Sequence, residues 1–288
     1  MTFARFKKKW LYLYMEIKKI VSWIVLFFGT MGFAQTSETD KALEEGKKLY
    51  RLEKASWYSV DDFLERFKSK QDSLAGYLSY FNDQGNVITI FYGRDTSQIL
   101  VRYEYENVPT RKPILIDTRN RTPEAVEEVL ITLRQDAKKR VAANLNGFYK
   151  SYEHTTLSYI PIYHENDKKV YVMTASTKKG IITMGNDYLL HYNNNNKFVK
   201  EEKFHHSLIQ LPAQSKDKKS KLESTTHTNV MSDYIDATDI CTLLLYKDFV
   251  EWKKHIVLSD KEVSVFVLDT ELIYTMSRKE WDKQNKGK

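Results

Sequence analysis

The sequence predicts an α+β fold with antiparallel or mixed sheets, a long central helix and a C-terminal helix–strand–strand unit. Three observations predict it. Short runs rich in Val, Ile, Tyr and Phe recur between turn residues over 76–116 and again over 157–192, as the strands of a meander do. Between them one long amphipathic stretch opens at Thr122-Pro123-Glu124, with a capping residue, a proline in the first turn and acid near the positive end of the helix dipole. After residue 224 an apolar helical pattern is followed by two further alternating runs.

Taken in order, residues 1–34 read as a signal peptide. Lys18 and Lys19 precede an apolar run from Ile20 to Phe33, and Gly32 and Ala34 offer small residues for cleavage after Ala34 or Gln35. Met15 is the expected start of that signal. The run falls short of the ~20 apolar residues of a bilayer span, so no stable transmembrane span is expected once the signal is removed. The protein is therefore expected to be exported, to the periplasm or secreted. Residues 36–70 follow as N-terminal helices: a polar-faced one over Asp40 to Lys54, and a short one capped at Ser59.

Residues 76–211 form the expected scaffold. Tyr77 to Phe81 and Val87 to Tyr92 flank a turn-rich link, Ile99 to Tyr105 alternates, and Pro113 to Ile116 adds a short piece. The central helix, 122–145, carries Val126, Val129, Leu130, Leu133, Val141 and Leu145 on one stripe and ends at Asn146-Gly147. Strands are then expected at Leu157 to Tyr163, Val170 to Ala175, Gly180 to Met184 and Tyr188 to Tyr192. Gly185-Asn186-Asp187 reads as a tight turn or bulge ahead of a candidate cleft carboxylate. His205 and His206 are adjacent, so on a strand they point to opposite faces and do not chelate one metal together. Residues 212–223 form a basic polar loop. Residues 224–288 form the C-terminal part, as its own unit or in one domain with 76–211.

Charge and cysteine usage narrow the function classes. The net charge is +7, but Arg5, Lys7, Lys8, Lys9, Lys18 and Lys19 against Glu16 place +5 of it in residues 1–34, leaving +2 for the rest. No nucleic-acid partner is expected from so small a surplus. Cys241 is the single cysteine, which excludes an intrachain disulfide and a thiolate zinc cluster; its apolar neighbours make it a core residue. No nucleophile elbow, phosphate loop, dinucleotide fingerprint or His-Glu-x-x-His is present.

The chemistry-bearing stretch is Ser224 to Tyr246. His227 and Asn229 are two apart and leave one face of an extended segment, while Asp239 begins a helix and Asp236 stands where a cap would be. These four are the candidate metal ligands: His227, Asp239, Asn229 and Asp236. The pattern resembles the JAB/MPN (JAMM) metallopeptidase family, whose zinc site is His-x-His followed by Ser-x-x-Asp on a helix, with a separate upstream Glu as acid/base. Here His227-Thr228-Asn229 and Asp236-Ala237-Thr238-Asp239 match it, and the order helix, strand, turn, strand to residue 268 is similar to the end of that fold. The resemblance covers the last ~75 residues. Asn229 replaces a histidine, Asp236 replaces the serine, the connecting loop is shorter, and no upstream Glu stands out.

Three readings follow. The resemblance with its lost ligand implies a catalytically degenerate JAB/MPN-like binding module for a peptide or envelope protein, without a cofactor. A retained site implies a zinc-dependent peptidase or isopeptidase, with Asp233 or Asp236 in place of the missing histidine. A surface recognition protein without catalytic ancestry is the third.

Overall fold

The parallel pairing of two strands near the C-terminus sets the position of every candidate ligand. In the computed structural model, residues 37–286 are described, apart from 96, 165–166 and 216–220. The signal-peptide reading of 1–34 and part of the 212–223 loop lie outside the described residues.

Helix α1 (Ser37–Arg66) is followed by the short α2 (Lys68–Gln71) and a four-stranded antiparallel meander, β1 (Leu74–Phe81), β2 (Val87–Gly93), β3 (Ile99–Tyr105) and β4 (Leu115–Asp117). Then come α3 (Ala125–Ala143) and a second antiparallel sheet in the order β5 (Thr155–His164), β6 (Asp167–Ser176), β8 (Tyr188–Tyr192), β9 (Phe198–Lys203). Strand β7 (Ile181–Met184) leaves that sheet and pairs with β10 (Ile209–Pro212). The C-terminal sheet is mixed. Strand β11 (Ser224–Thr228) runs parallel to β12 (Lys254–Leu258), with α4 (Ala237–Tyr246) between them in the chain, and β13 (Glu262–Val267) and β14 (Leu272–Ser277) complete it antiparallel. Helix α5 (Arg278–Asn285) closes the described chain, with Trp281 half-buried. The α+β class and the C-terminal helix–strand–strand order are as the sequence predicts. No helix among the described residues is long and apolar enough to cross a membrane.

Three helix expectations are corrected. The two helices expected over Asp40 to Lys54 and from Ser59 onward are one continuous 30-residue helix, the longest in the described chain. Ser59 is not a cap but a fully buried helix residue whose hydroxyl meets the Tyr105 phenol at 2.9 Å. A serine inside a helix looks like a cap in sequence; a buried partner 46 residues away makes it a packing contact. The central helix begins after Glu124 rather than at Thr122, because Glu127 accepts a hydrogen bond from the Glu124 amide at 2.8 Å while held by Arg121 at 2.6 Å. It ends at Asn144, which takes left-handed φ of 41°, so Leu145 lies beyond the stripe and is 97% exposed.

Helix α4 is apolar nearly all round, and Ala237 through Leu245 are all buried. One side, with Cys241 and Leu245, joins Leu49, Leu52 and Ala55 of α1; the other, with Ile240, Leu243 and Leu244, meets Trp252, Val257 and Phe266. Cys241 is thus a core residue, and burial pushes its thiol well up from the ordinary range. The two helices touch at Gly46. A Cβ there would lie 2.6 Å from Ile240 Cβ and 2.9 Å from the Ala237 carbonyl. Gly46→Ala is therefore expected to destabilise the protein by about 1–3 kcal/mol despite alanine's better helix propensity, because the helices must separate. Urea denaturation checks it, an unchanged midpoint being the contrary result.

Candidate metal centre

Strand β11 alternates, with Thr225 and His227 facing inward and Thr226 and Thr228 outward. Asn229, just past the strand end, continues the inward face and is 1% exposed. The chain then loops through 230–236 and enters α4, whose third residue, Asp239, is fully buried. This strand–loop–helix passage brings His227 Nε2 within 3.5 Å of Asp239 Oδ2, as their sequence positions predict.

The second imidazole comes from elsewhere. His205 lies in the connection after β9, and its Nε2 is 3.2 Å from Asp239 Oδ1. It is buried, whereas His206 is exposed, so the adjacent pair divides as expected but not on a strand. The turn between β7 and β8 holds it there. Gly185 has φ of +73°, and a Cβ on it would sit 2.5 Å from the Ser207 carbonyl and 3.2 Å from His205 Cβ. Only glycine lets that turn press against the 205–207 segment. Asn186 also takes positive φ, and Asp187 beyond it turns inward, accepting a hydrogen bond from the Thr174 amide at 2.8 Å. The Gly185-Asn186-Asp187 turn is thus both a tight turn and a source of a buried carboxylate.

The ligating atoms of His205, His227 and Asp239 all lie within 4.8 Å of one another. His205 Nδ1 and Nε2, His227 Nε2 and both Asp239 oxygens are buried without a hydrogen-bond partner. The ion-pair distances are short, but the N–H directions do not meet the oxygens. Buried polar atoms are otherwise almost always paired, so one such atom from each of three residues, gathered within 4.8 Å, makes a group that could hold a metal ion.

Two predicted ligands take other roles. Asn229 Nδ2 donates to Asp236 Oδ2 at 2.7 Å, and its Oδ1 accepts from the Met231 and Ser232 amides at 2.9 and 3.2 Å. Asn229 therefore folds the loop and tethers Asp236; with its oxygen committed to two amides it is not part of the ligand group. Asp236, at the N-cap of α4, has its Oδ2 4.0 Å from His205 Nε2 and borders the centre without joining the group. Asp233 is not a substitute ligand, since it is half-exposed and paired with Lys261 at 2.6 Å. Sequence reasoning missed His205, because only the packing of the β7–β8 turn brings residue 205 to residue 227.

The charges are unbalanced. Asp187, Asp236 and Asp239 are all buried here, and among the described residues the ion pairs of Asp236 and Asp239 are with histidines alone. Burial raises Asp187 to about 7, His205 opposing it; burial, then the Asp239 charge, raises Asp236 to about 7. Burial works to lower His205, but Asp239 outweighs it and brings the imidazole up to about 9. Burial opposes ionisation of Asp239, yet His205 and His227 outweigh it and hold the carboxyl well below the usual carboxylate range. Burial lowers His227, and lowers His255 behind it to about 3. Two carboxyls raised to about 7 beside an ionised third, with no lysine or arginine ion-paired to Asp236 or Asp239 among the described residues, are charges that a divalent cation would balance.

The fold and this centre define an α+β protein with a buried His–His–Asp group of metal-ligating composition. No family model matches the chain, and no curated protein is significantly similar to it.

Proposed function

We propose that the protein is an exported, zinc-binding JAB/MPN-like module with hydrolytic chemistry toward peptide or isopeptide bonds. The observation that carries this is the convergence of His205, His227 and Asp239 with their ligating atoms unpaired. Two imidazoles and one carboxylate are a donor set that zinc prefers, and three protein ligands leave a fourth position open. The order β11, loop, α4, β12, β13 and the placement of His227 and Asp239 support the resemblance read from the sequence. His205 takes the role that the motif gives to a second histidine in the strand, which explains how Asn229 stands there without cost to the ligand count.

His205, His227 and Asp239 would hold a zinc ion, which would supply Lewis acidity toward a carbonyl and would lower the pKa of a bound water. The chain's own residues do the rest. Asp236, 4.0 Å from His205, also lines a cavity of about 370 Å³ with Phe204, Met231, Ser232 and Tyr234. With a pKa near 7 it is placed to hold or pass a proton between that cavity and the His205 side of the centre. Asp187, on the far turn, is a second carboxyl of similar pKa.

One observation favours a second reading, a purely structural metal. The three ligand side chains are 2%, 2% and 0% exposed, so an ion there would pin the segment after β9 to β11 and α4. Equilibrium dialysis with zinc and metal analysis test the centre itself. One zinc per chain is expected in the native protein and none in His227→Ala; an equal zinc content in both overturns the proposal in favour of a metal-free module. Incubation with a mixed peptide library then separates the readings: chelator-sensitive cleavage restored by zinc supports the hydrolase, and a chelator-induced loss of melting temperature without any cleavage supports the structural ion.

A further inference from the structure

Behind His227 a buried chain of hydrogen bonds runs across the parallel strand pair. His227 Nδ1 lies 2.7 Å from His255 Nε2, and His255 Nδ1 lies 2.8 Å from Thr225 Oγ1. The register makes this geometry, since Thr225 and His255 are direct partners in β11 and β12 and Thr225 and His227 share one face of β11. His255 is fully buried, and its ring stacks beside that of His227 with centroids 5.0 Å apart.

In a neutral imidazole one nitrogen donates and the other accepts, so each contact in this chain fixes the next. A metal at His227 Nε2 requires the lone pair there, which puts the His227 proton on Nδ1. That proton has one acceptor, His255 Nε2. The single proton of a neutral His255 is then on Nδ1 and donates to Thr225 Oγ1. The reverse arrangement, with Thr225 donating to His255 and His255 donating to His227, would leave a proton on His227 Nε2 and block the ion. Both arrangements carry the same number of protons, so the change is one of tautomer and the relay gains or loses none.

We propose that His255 is a positioning residue of the metal centre: by accepting from His227 Nδ1–H it holds His227 in the tautomer and ring orientation whose Nε2 lone pair faces Asp239 and His205. This rests on the metal-binding reading above. A ligating histidine commonly gives its other N–H to a carboxylate or carbonyl, and loss of such a partner typically costs 10–100-fold in metal affinity. Here a second imidazole, itself oriented by Thr225, does that work from within the sheet.

The test uses the full folded protein, zinc titration, and cadmium-113 with nitrogen-15-labelled histidine for NMR. His255→Gln keeps an acceptor at the reach of Nε2, and His255→Leu removes it. Zinc affinity is expected to fall roughly 10–100-fold in His255→Leu and to be largely restored in His255→Gln. In the native cadmium form, the His227 Nε2 signal is expected to show coupling to the metal, with protons on Nδ1 of both His227 and His255. Equal zinc affinity in His255→Leu and the native protein overturns the inference, as does a cadmium form in which His255 Nδ1 carries no proton. Should His255→Leu not fold, the native spectrum still decides, together with Thr225→Val, whose weakened zinc binding is expected from loss of the far acceptor and whose unchanged binding counts against the relay. A native protein that takes up neither zinc nor cadmium fails the metal reading itself, a result distinct from any of these.

Discussion

His205→Ala is expected to lower zinc affinity on the order of 1000-fold, as much as His227→Ala does, while His206→Ala leaves it unchanged. Zinc sites in small proteins contribute about 10–16 kcal/mol, so one of three protein ligands carries roughly 4 kcal/mol, and each 1.4 kcal/mol is a factor of ten. The neighbouring histidine is the control because it differs in one respect: His206 is exposed, while His205 has both ring nitrogens buried and unpaired. A second effect accompanies the first. Without metal, the His205 imidazolium is the nearest positive charge to Asp239, at 3.2 Å, so the alanine variant leaves that carboxylate with His227 alone. Removing one member of a buried pair typically costs 3–5 kcal/mol, so the metal-free variant is also expected to melt earlier. Competitive titration against a chromophoric chelator gives the affinity, and calorimetry gives the melt. If His205→Ala retains native zinc affinity, the ligand set proposed here is wrong at its least expected member.

That member also shows where sequence reading ends. Local periodicity gives His227 and Asn229 one face of an extended segment and sets Asp239 at the start of a helix, and of these His227 and Asp239 do converge. Periodicity fixes which face a residue takes, but what the face meets depends on packing between distant segments. His205 reaches the centre because Gly185 permits a turn that no sequence rule connects to residue 205. Asn229 shows the converse: the face was right, but an amide next to a loop finds backbone donors to accept from before it finds a metal. The meander strands were legible because alternation and turn residues act within a few positions. The length of α1 was not, since Ser59 and the polar segment around it read as a break until the Tyr105 phenol is seen to satisfy the hydroxyl. Nothing in the sequence marks His255 as the partner of His227.

Zinc uptake at pH 7 is expected to release roughly one to two protons, and the stability gained from zinc is expected to grow between pH 6.5 and 9. His205, at about 9 without metal, is protonated at neutrality and must lose that proton to become a ligand. Asp187 and Asp236, both near 7, are about half protonated there and release more as a divalent charge arrives. The sign for stability follows from the same shifts. All three groups have folded values above their ordinary ones of 6.5 and 3.8, so each contributes stability that is complete below the ordinary value and lost as pH rises through the folded one. His227 and His255 are shifted down, and their contribution is lost only as pH falls below 6.5. Above 6.5 the first set therefore governs, and the metal-free protein weakens toward pH 9. The zinc form has already given up those protons and has the ion's charge to balance the carboxylates, so it does not weaken in parallel. Titration calorimetry in buffers of differing ionisation enthalpy counts the protons, and melts of both forms at pH 6.5 and 9 measure the gap. Zinc binding with no proton release, or a gap that narrows across that interval, would mean that the three acids and His205 do not share one electrostatic site with the ion.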